Sequence, residues 1–205
     1  AYTISRTGSE TDAGLILSCS SAGALIGGII ISIWGGTRPR IHTIMLGLIF
    51  GGVALALFGL AQSTLWLSVA MFLVMFPISF VNPPVLSIIQ AKTPPNMQGR
   101  VFAVIDQISL ALMPPAYLLY GYLADNVLEP AVSTPSWESL APIVGEGKGA
   151  GMAVIFVVAG ILMAVSSAAV YALPLLRKME ATLPDYLPEP VATAAPDLDT
   201  AATTP

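Results

Sequence analysis

The stretch "AGLILSCSSAGALIGGIIISIW", residues 13–34, decides the fold, because 22 residues pass without a single charge. The hydrocarbon core of a bilayer is about 30 Å thick, and a helix needs about 20 apolar residues to cross it. Four further segments meet the same test: 41–61, 65–89, 101–124 and 150–176. Backbone amides and carbonyls find no partner in hydrocarbon, so each segment must be a helix that bonds within itself. The expectation is an all-α, polytopic helical membrane protein with five transmembrane helices. Composition agrees: 55% of the 205 residues are hydrophobic, only 10% are charged, and the mean hydropathy is +0.80. A soluble domain carries about 25% charged residues to cover its surface.

The segments between the spans predict orientation. Residues 35–40, 90–100 and 177–205 hold Arg38, Arg40, Lys92, Arg100, Arg177 and Lys178, whereas the opposite side holds only Arg6 and Lys148. Basic residues concentrate on the cytoplasmic side, so the N-terminus is expected outside and the C-terminus in the cytoplasm of a plasma (bacterial inner) membrane. Residues 1–12 and 125–149 then form external loops, with Trp137 at headgroup level. The first of these, "AYTISRTGSETD", is polar and reads as a loop entered in mid-protein, so the chain is expected to be a piece of something longer. The tail 179–205, rich in Pro, Ala and Thr, lacks the apolar residues for a core and is expected to be disordered. Membrane lipid is therefore an expected partner, and with no basic patch, nucleic acid is not. One cysteine, Cys19, and one histidine, His42, allow no intramolecular disulfide and no built-in metal site. No cofactor is expected. No Ser/His/Asp set and no phosphate loop is present, so an enzyme is not expected either.

Asp106 is the one acid inside a span, next to Gln107. Burying a carboxylate is costly, and an intramembrane acid is a functional candidate by default. Its neighbours at helical spacing include a single hydrogen-bonding side chain, Ser109. The acid must be protonated, reach a shallow partner such as His42, or face a water-filled cavity or an absent helix. His42 itself lies close to Arg40 and reads as a rim residue. A stripe of Asp106, Met113, Tyr117 and Tyr120 suits an amphipathic or aromatic ligand, although helix packing explains the same residues. Pro114 and Pro115, and Asn82-Pro83-Pro84 in the third span, lack amide protons and predict kinks. Asn82 either lines a cavity or bonds a freed carbonyl. Small residues four apart, such as Gly23 and Gly27 or Gly47 and Gly51, predict close helix approach.

Two loops on the basic side carry a recognisable pattern. "GALIGGIIISIWGGTR", from Gly23 to Arg38, resembles the cytoplasmic loop signature of the major facilitator superfamily in its second-half copy. Gly28 and Gly35 match its glycines, Arg38 lies near its basic end, and Ser32 stands where the signature has an acid. "PPNMQGRVFAVIDQISLALMPPAYLLYGYLAD", with Gly99 and Arg100, is similar to a stretch of the macrolide-efflux and siderophore-exporter branch. The resemblance covers roughly residues 5–178. It implies helices eight to twelve of a twelve-helix fold, with the N-terminal half of the transporter as missing partner. It also implies a cytoplasmic gate at Gly28, Gly35, Arg38, Gly99 and Arg100. The implied activity is efflux of an amphipathic, macrolide-like or drug-like small-molecule substrate by alternating access and proton antiport. Independently of the resemblance, whose pattern does not include Asp106, the polar residues of the spans make Asp106, Gln107, Asn82, Met113, Tyr117 and Tyr120 the candidates for substrate or proton coupling. A siderophore exporter and a non-transporting assembly or scaffold protein are the alternative readings.

Overall fold

In the computed structural model, which describes residues 2–134, 137, 141–145 and 149–173, the described chain is helical with short connections. A short helix α1 (Tyr2–Thr7) leads into α2 (Glu10–Trp34), α3 (Arg40–Leu60), α4 (Thr64–Lys92) and α5 (Pro95–Leu123). A π-helical turn (Ala124–Leu128) follows, then α6 (Glu129–Ala131), α7 (Ala141–Val144) and α8 (Ala150–Ala172). Five of these helices are long and apolar enough to cross a membrane: α2, α3, α4, α8, and α5 together with its extension to Ala131.

The helix ends follow capping chemistry rather than hydropathy. α2 begins at Glu10, not at the first apolar residue, because Ser9 accepts a hydrogen bond from the Asp12 amide (3.4 Å). Glu10 and Asp12 also place negative charge in its first turn. Gly35 stops the helix in the left-handed region (φ 74°), its amide donating to the Ile31 carbonyl at 2.8 Å. α5 starts at Pro95, six residues before its apolar run, since proline at the first helical position loses no needed amide bond. The segment 1–12, expected as a loop, contains α1. Residues 125–131 of the expected outer loop continue α5 as helix, and Trp137 is buried. α4 and α5 run on through Pro77, Pro83, Pro84, Pro114 and Pro115. A spanning segment offers its remaining backbone groups no partner except the helical ladder, which resumes beyond each proline. Residues 174–176 of the last expected span, and the tail 179–205, lie outside the described residues.

Packing pairs α2 with α4, and α3 with both α4 and α8. Glycine makes these crossings tight. A Cβ built on Gly23 would stand 2.5 Å from the Phe72 carbonyl oxygen, and one on Gly27 the same distance from that of Phe76. Ser79 then reaches across from α4 to the Ala24 carbonyl of α2 at 2.8 Å. A second set of crossings, Gly52 with Gly160 and Gly59 with Ala153, closes α3 on α8. The buried apolar cluster sits at the end away from Arg38 and Arg100. There Tyr2, Phe58 and Phe156 meet ring to ring at 5.0–5.3 Å, and Trp137 donates to the Gly145 carbonyl. Arg6 closes this end, its guanidinium donating to the Val144 carbonyl and lying 5.9 Å from the Tyr2 ring centre.

Candidate functional site

α5 carries most of the candidate residues and differs from every other spanning helix. None of its residues is buried, and no other spanning helix packs extensively against it. Its foot is tied by Gln98, whose amide nitrogen donates to the Gln90 and Thr93 carbonyls at 3.2 Å. Its far end rests on Tyr120, whose ring lies 6.1 Å from that of Phe156. Beyond it, Glu129 accepts from the Gly149 amide at 2.9 Å, fastening the following turn to the start of α8.

Between those ends Asp106 and Gln107 are exposed, as are Met113 (50%) and Tyr117 (72%). The stripe exists as a helical face that looks out from the bundle at Asp106, Met113 and Tyr117 and turns inward at Tyr120, against Phe156. Ser109 spends its hydroxyl on the Ile105 carbonyl (2.8 Å), a bond within the helix that leaves Asp106 unassisted. His42 is engaged elsewhere: its Nδ1 lies 3.0 Å from the Tyr171 hydroxyl, tying α3 to α8. Asn82, on α4, is exposed and makes no side-chain hydrogen bond among the described residues, so it bonds no freed carbonyl. No hydrogen bond joins it to Asp106 among those residues. The candidate coupling residues thus divide between an outward face of α5 and an outward position on α4.

At the basic end, Gly35 is the terminator of α2, and Arg38 projects from the short turn that follows. Gly28 lies inside α2, where its carbonyl accepts from Ser32 at 2.7 Å. Gly99 and Arg100 are exposed in the first turns of α5, and a Cβ on Gly99 would meet nothing within 4 Å. A lattice that hydropathy does not reveal holds the 35–39 turn. The Thr37 amide donates to Thr43 Oγ1 at 2.8 Å, the two hydroxyls lie 2.7 Å apart, and Thr37 Oγ1 also donates to the Pro39 carbonyl. Two threonines six apart, with Arg38 and Pro39 between them, have no periodicity, so their partnership is invisible without coordinates. The same holds for Gln98, which reads as a polar loop residue until its two carbonyl partners are seen.

A family model described as Major Facilitator Superfamily matches residues 1–116. Over 109 residues the chain is 28% identical to macrolide efflux protein A of Streptococcus pyogenes, and equally to the protein of that name from a serotype M6 strain of the species. That match takes in 52% of this chain but only 27% of the length of either relative. No solved structure matches the chain.

Proposed function

We propose a function from one premise: the chain belongs to the major facilitator superfamily. It is a multi-pass membrane protein of a transporter family, and its similarity to a macrolide efflux protein favours export. In our reading it forms helices eight to twelve of a secondary active transporter that expels amphipathic small molecules by alternating access, exchanging them for protons. The basic loops face the cytoplasm of a bacterial inner membrane. In such folds two six-helix halves rock about a site near the midplane.

The single observation that carries this reading is α5. A helix with an acid, a thioether and a phenol on an outward face, and with no buried residue, has the character of a cavity wall whose opposite wall belongs elsewhere. The first half of the transporter supplies that wall in our reading. Asp106 then faces a water-filled path, and as an intramembrane acid it is the residue that would couple protons to substrate. Gly28, Gly35, Arg38, Gly99 and Arg100 form the cytoplasmic mouth.

The test is transport by the complete protein in energised cells, followed as accumulation of a labelled macrolide. Asp106→Asn should abolish efflux while leaving expression and membrane insertion intact. Undiminished, pH-dependent efflux in that variant would return Asp106 to a packing role. Macrolide accumulation that the wild-type protein does not lower would remove the efflux reading and leave an assembly role.

A further inference from the structure

Between the basic ends of α2, α3 and α4 lies a cavity of about 300 Å³ that touches the proposed cytoplasmic mouth at Gly35 and has no assigned ligand. Its lining includes Ser32, Gly36, Thr37, Arg40, Thr43 and Ser87. That is one guanidinium and four hydroxyls, at the end of three spanning helices. Two of the hydroxyls are already committed: Thr37 and Thr43 hold each other at 2.7 Å and shape the wall. The Ser32 hydroxyl turns back to its own helix, at the Gly28 carbonyl. Ser87 and Arg40 have no partner among the described residues, and Arg40 is half-buried. No acid stands in the first turn of α3, and no carboxylate pairs with Arg40 among the described residues. A half-buried guanidinium without a counter-charge, lining an open cavity together with an uncommitted hydroxyl, lacks an anion.

We propose that this cavity binds a phosphate-bearing anion, held by Arg40 and Ser87. The guanidinium fork matches two phosphate oxygens, and the Ser87 hydroxyl reaches a third from the facing helix. The Gly35–Gly36 turn, with φ of 74° and 77°, carries the chain around the cavity without side chains. At the level where spanning helices end, a phospholipid headgroup is one source of such a group, and basic clefts between membrane helices take anionic headgroups. Free phosphate is the other source.

Native mass spectrometry of the full chain, released from a neutral detergent, distinguishes them. Phosphatidylglycerol and phosphatidylcholine are titrated separately, and the first should bind roughly tenfold tighter, the effect of one charge-assisted bond. Arg40→Gln should bring phosphatidylglycerol down to the phosphatidylcholine level, whereas Arg40→Lys should keep most of the difference. Ser87→Leu, which fills the cavity without changing charge, should also remove it, and this variant decides the matter if Arg40→Gln does not fold. Lys92→Gln, a basic-end cation outside the cavity lining, should leave binding unchanged. Displacement of phosphatidylglycerol by millimolar inorganic phosphate would identify free phosphate as the ligand, and retention would identify the headgroup. Equal binding of the two lipids, or unchanged binding in both Arg40→Gln and Ser87→Leu, would overturn the proposal. So would a loss in Lys92→Gln as large as that in Arg40→Gln.

Discussion

Replacing Gly52 by Ala should loosen the crossing of α3 on α8. A Cβ at Gly52 would stand 2.6 Å from the Ala164 amide nitrogen, 2.7 Å from the Gly160 carbonyl oxygen and 3.0 Å from Ala164 Cα. All three are backbone atoms, so no side chain can swing aside. Ordinary contact begins near 3.5 Å, so the helices must part by roughly 0.9 Å. A gap of that size forfeits up to about half of each contact, and each contact contributes about 0.1–0.2 kcal/mol. For roughly 40 atom pairs, as many as one buried leucine makes, the loss is about 2 kcal/mol, within the usual range for overpacking. Alanine returns up to about 1 kcal/mol of helix propensity, less in a bilayer where the separated helices are already formed. The net destabilisation is therefore about 1–2 kcal/mol. Gly14→Ala is the control, because a Cβ there meets nothing within 4 Å. Unfolding in mixed micelles by increasing SDS, followed by near-ultraviolet circular dichroism, reports the loss of packing. The midpoint for Gly52→Ala should fall well below that for Gly14→Ala, which should equal or exceed the wild type. A Gly52→Ala midpoint at or above the control would refute the close-crossing account of this bundle.

Three further outcomes are expected. Ser79→Ala removes the bond from α4 to the Ala24 carbonyl and should cost about 0.6 kcal/mol, the usual size of such a bond between membrane helices, read in the same titration. Arg6→Gln frees the Val144 carbonyl and uncovers the Tyr2 ring; hydrogen exchange should accelerate over 141–145 while the centres of α2, α3 and α4 stay protected. Burial raises the Tyr2 phenol above its ordinary value of 10.0, and the nearby Arg6 only partly offsets this. The unfolded phenol then loses its proton first, so stability should fall as pH rises above 10.0 toward the raised folded value. Tyr2→Phe should flatten that part of a pH–stability curve, and an unchanged slope would contradict the burial of Tyr2.

Some of this molecule is set by local chemistry and some is not. The five spanning helices follow from uncharged runs measured against a bilayer's thickness, a property each segment has by itself. The stop at Gly35 and the start after Ser9 are equally local, since capping involves residues a turn apart. Close approach at Gly23 and Gly27 was legible as spacing, but their facing partners, Phe72 and Phe76, were not. Gly52 and Gly59 belong to no noticed pair, and only the crossing with α8 shows why they are glycine. His42 and Tyr171 meet across 129 positions of chain because α3 packs on α8, and Thr37 folds back on Thr43 at the start of α3. The candidate site shows the same division. The sequence alone determined that Asp106, Met113, Tyr117 and Tyr120 share one helical stripe, because helical geometry requires it. Tertiary structure decided that Asp106, Met113 and Tyr117 are left uncovered while Tyr120 rests on Phe156 of α8, and that His42 belongs to Tyr171 rather than to Asp106. Local periodicity orders residues along one helix; which side of that helix is covered depends on the shapes of all the others.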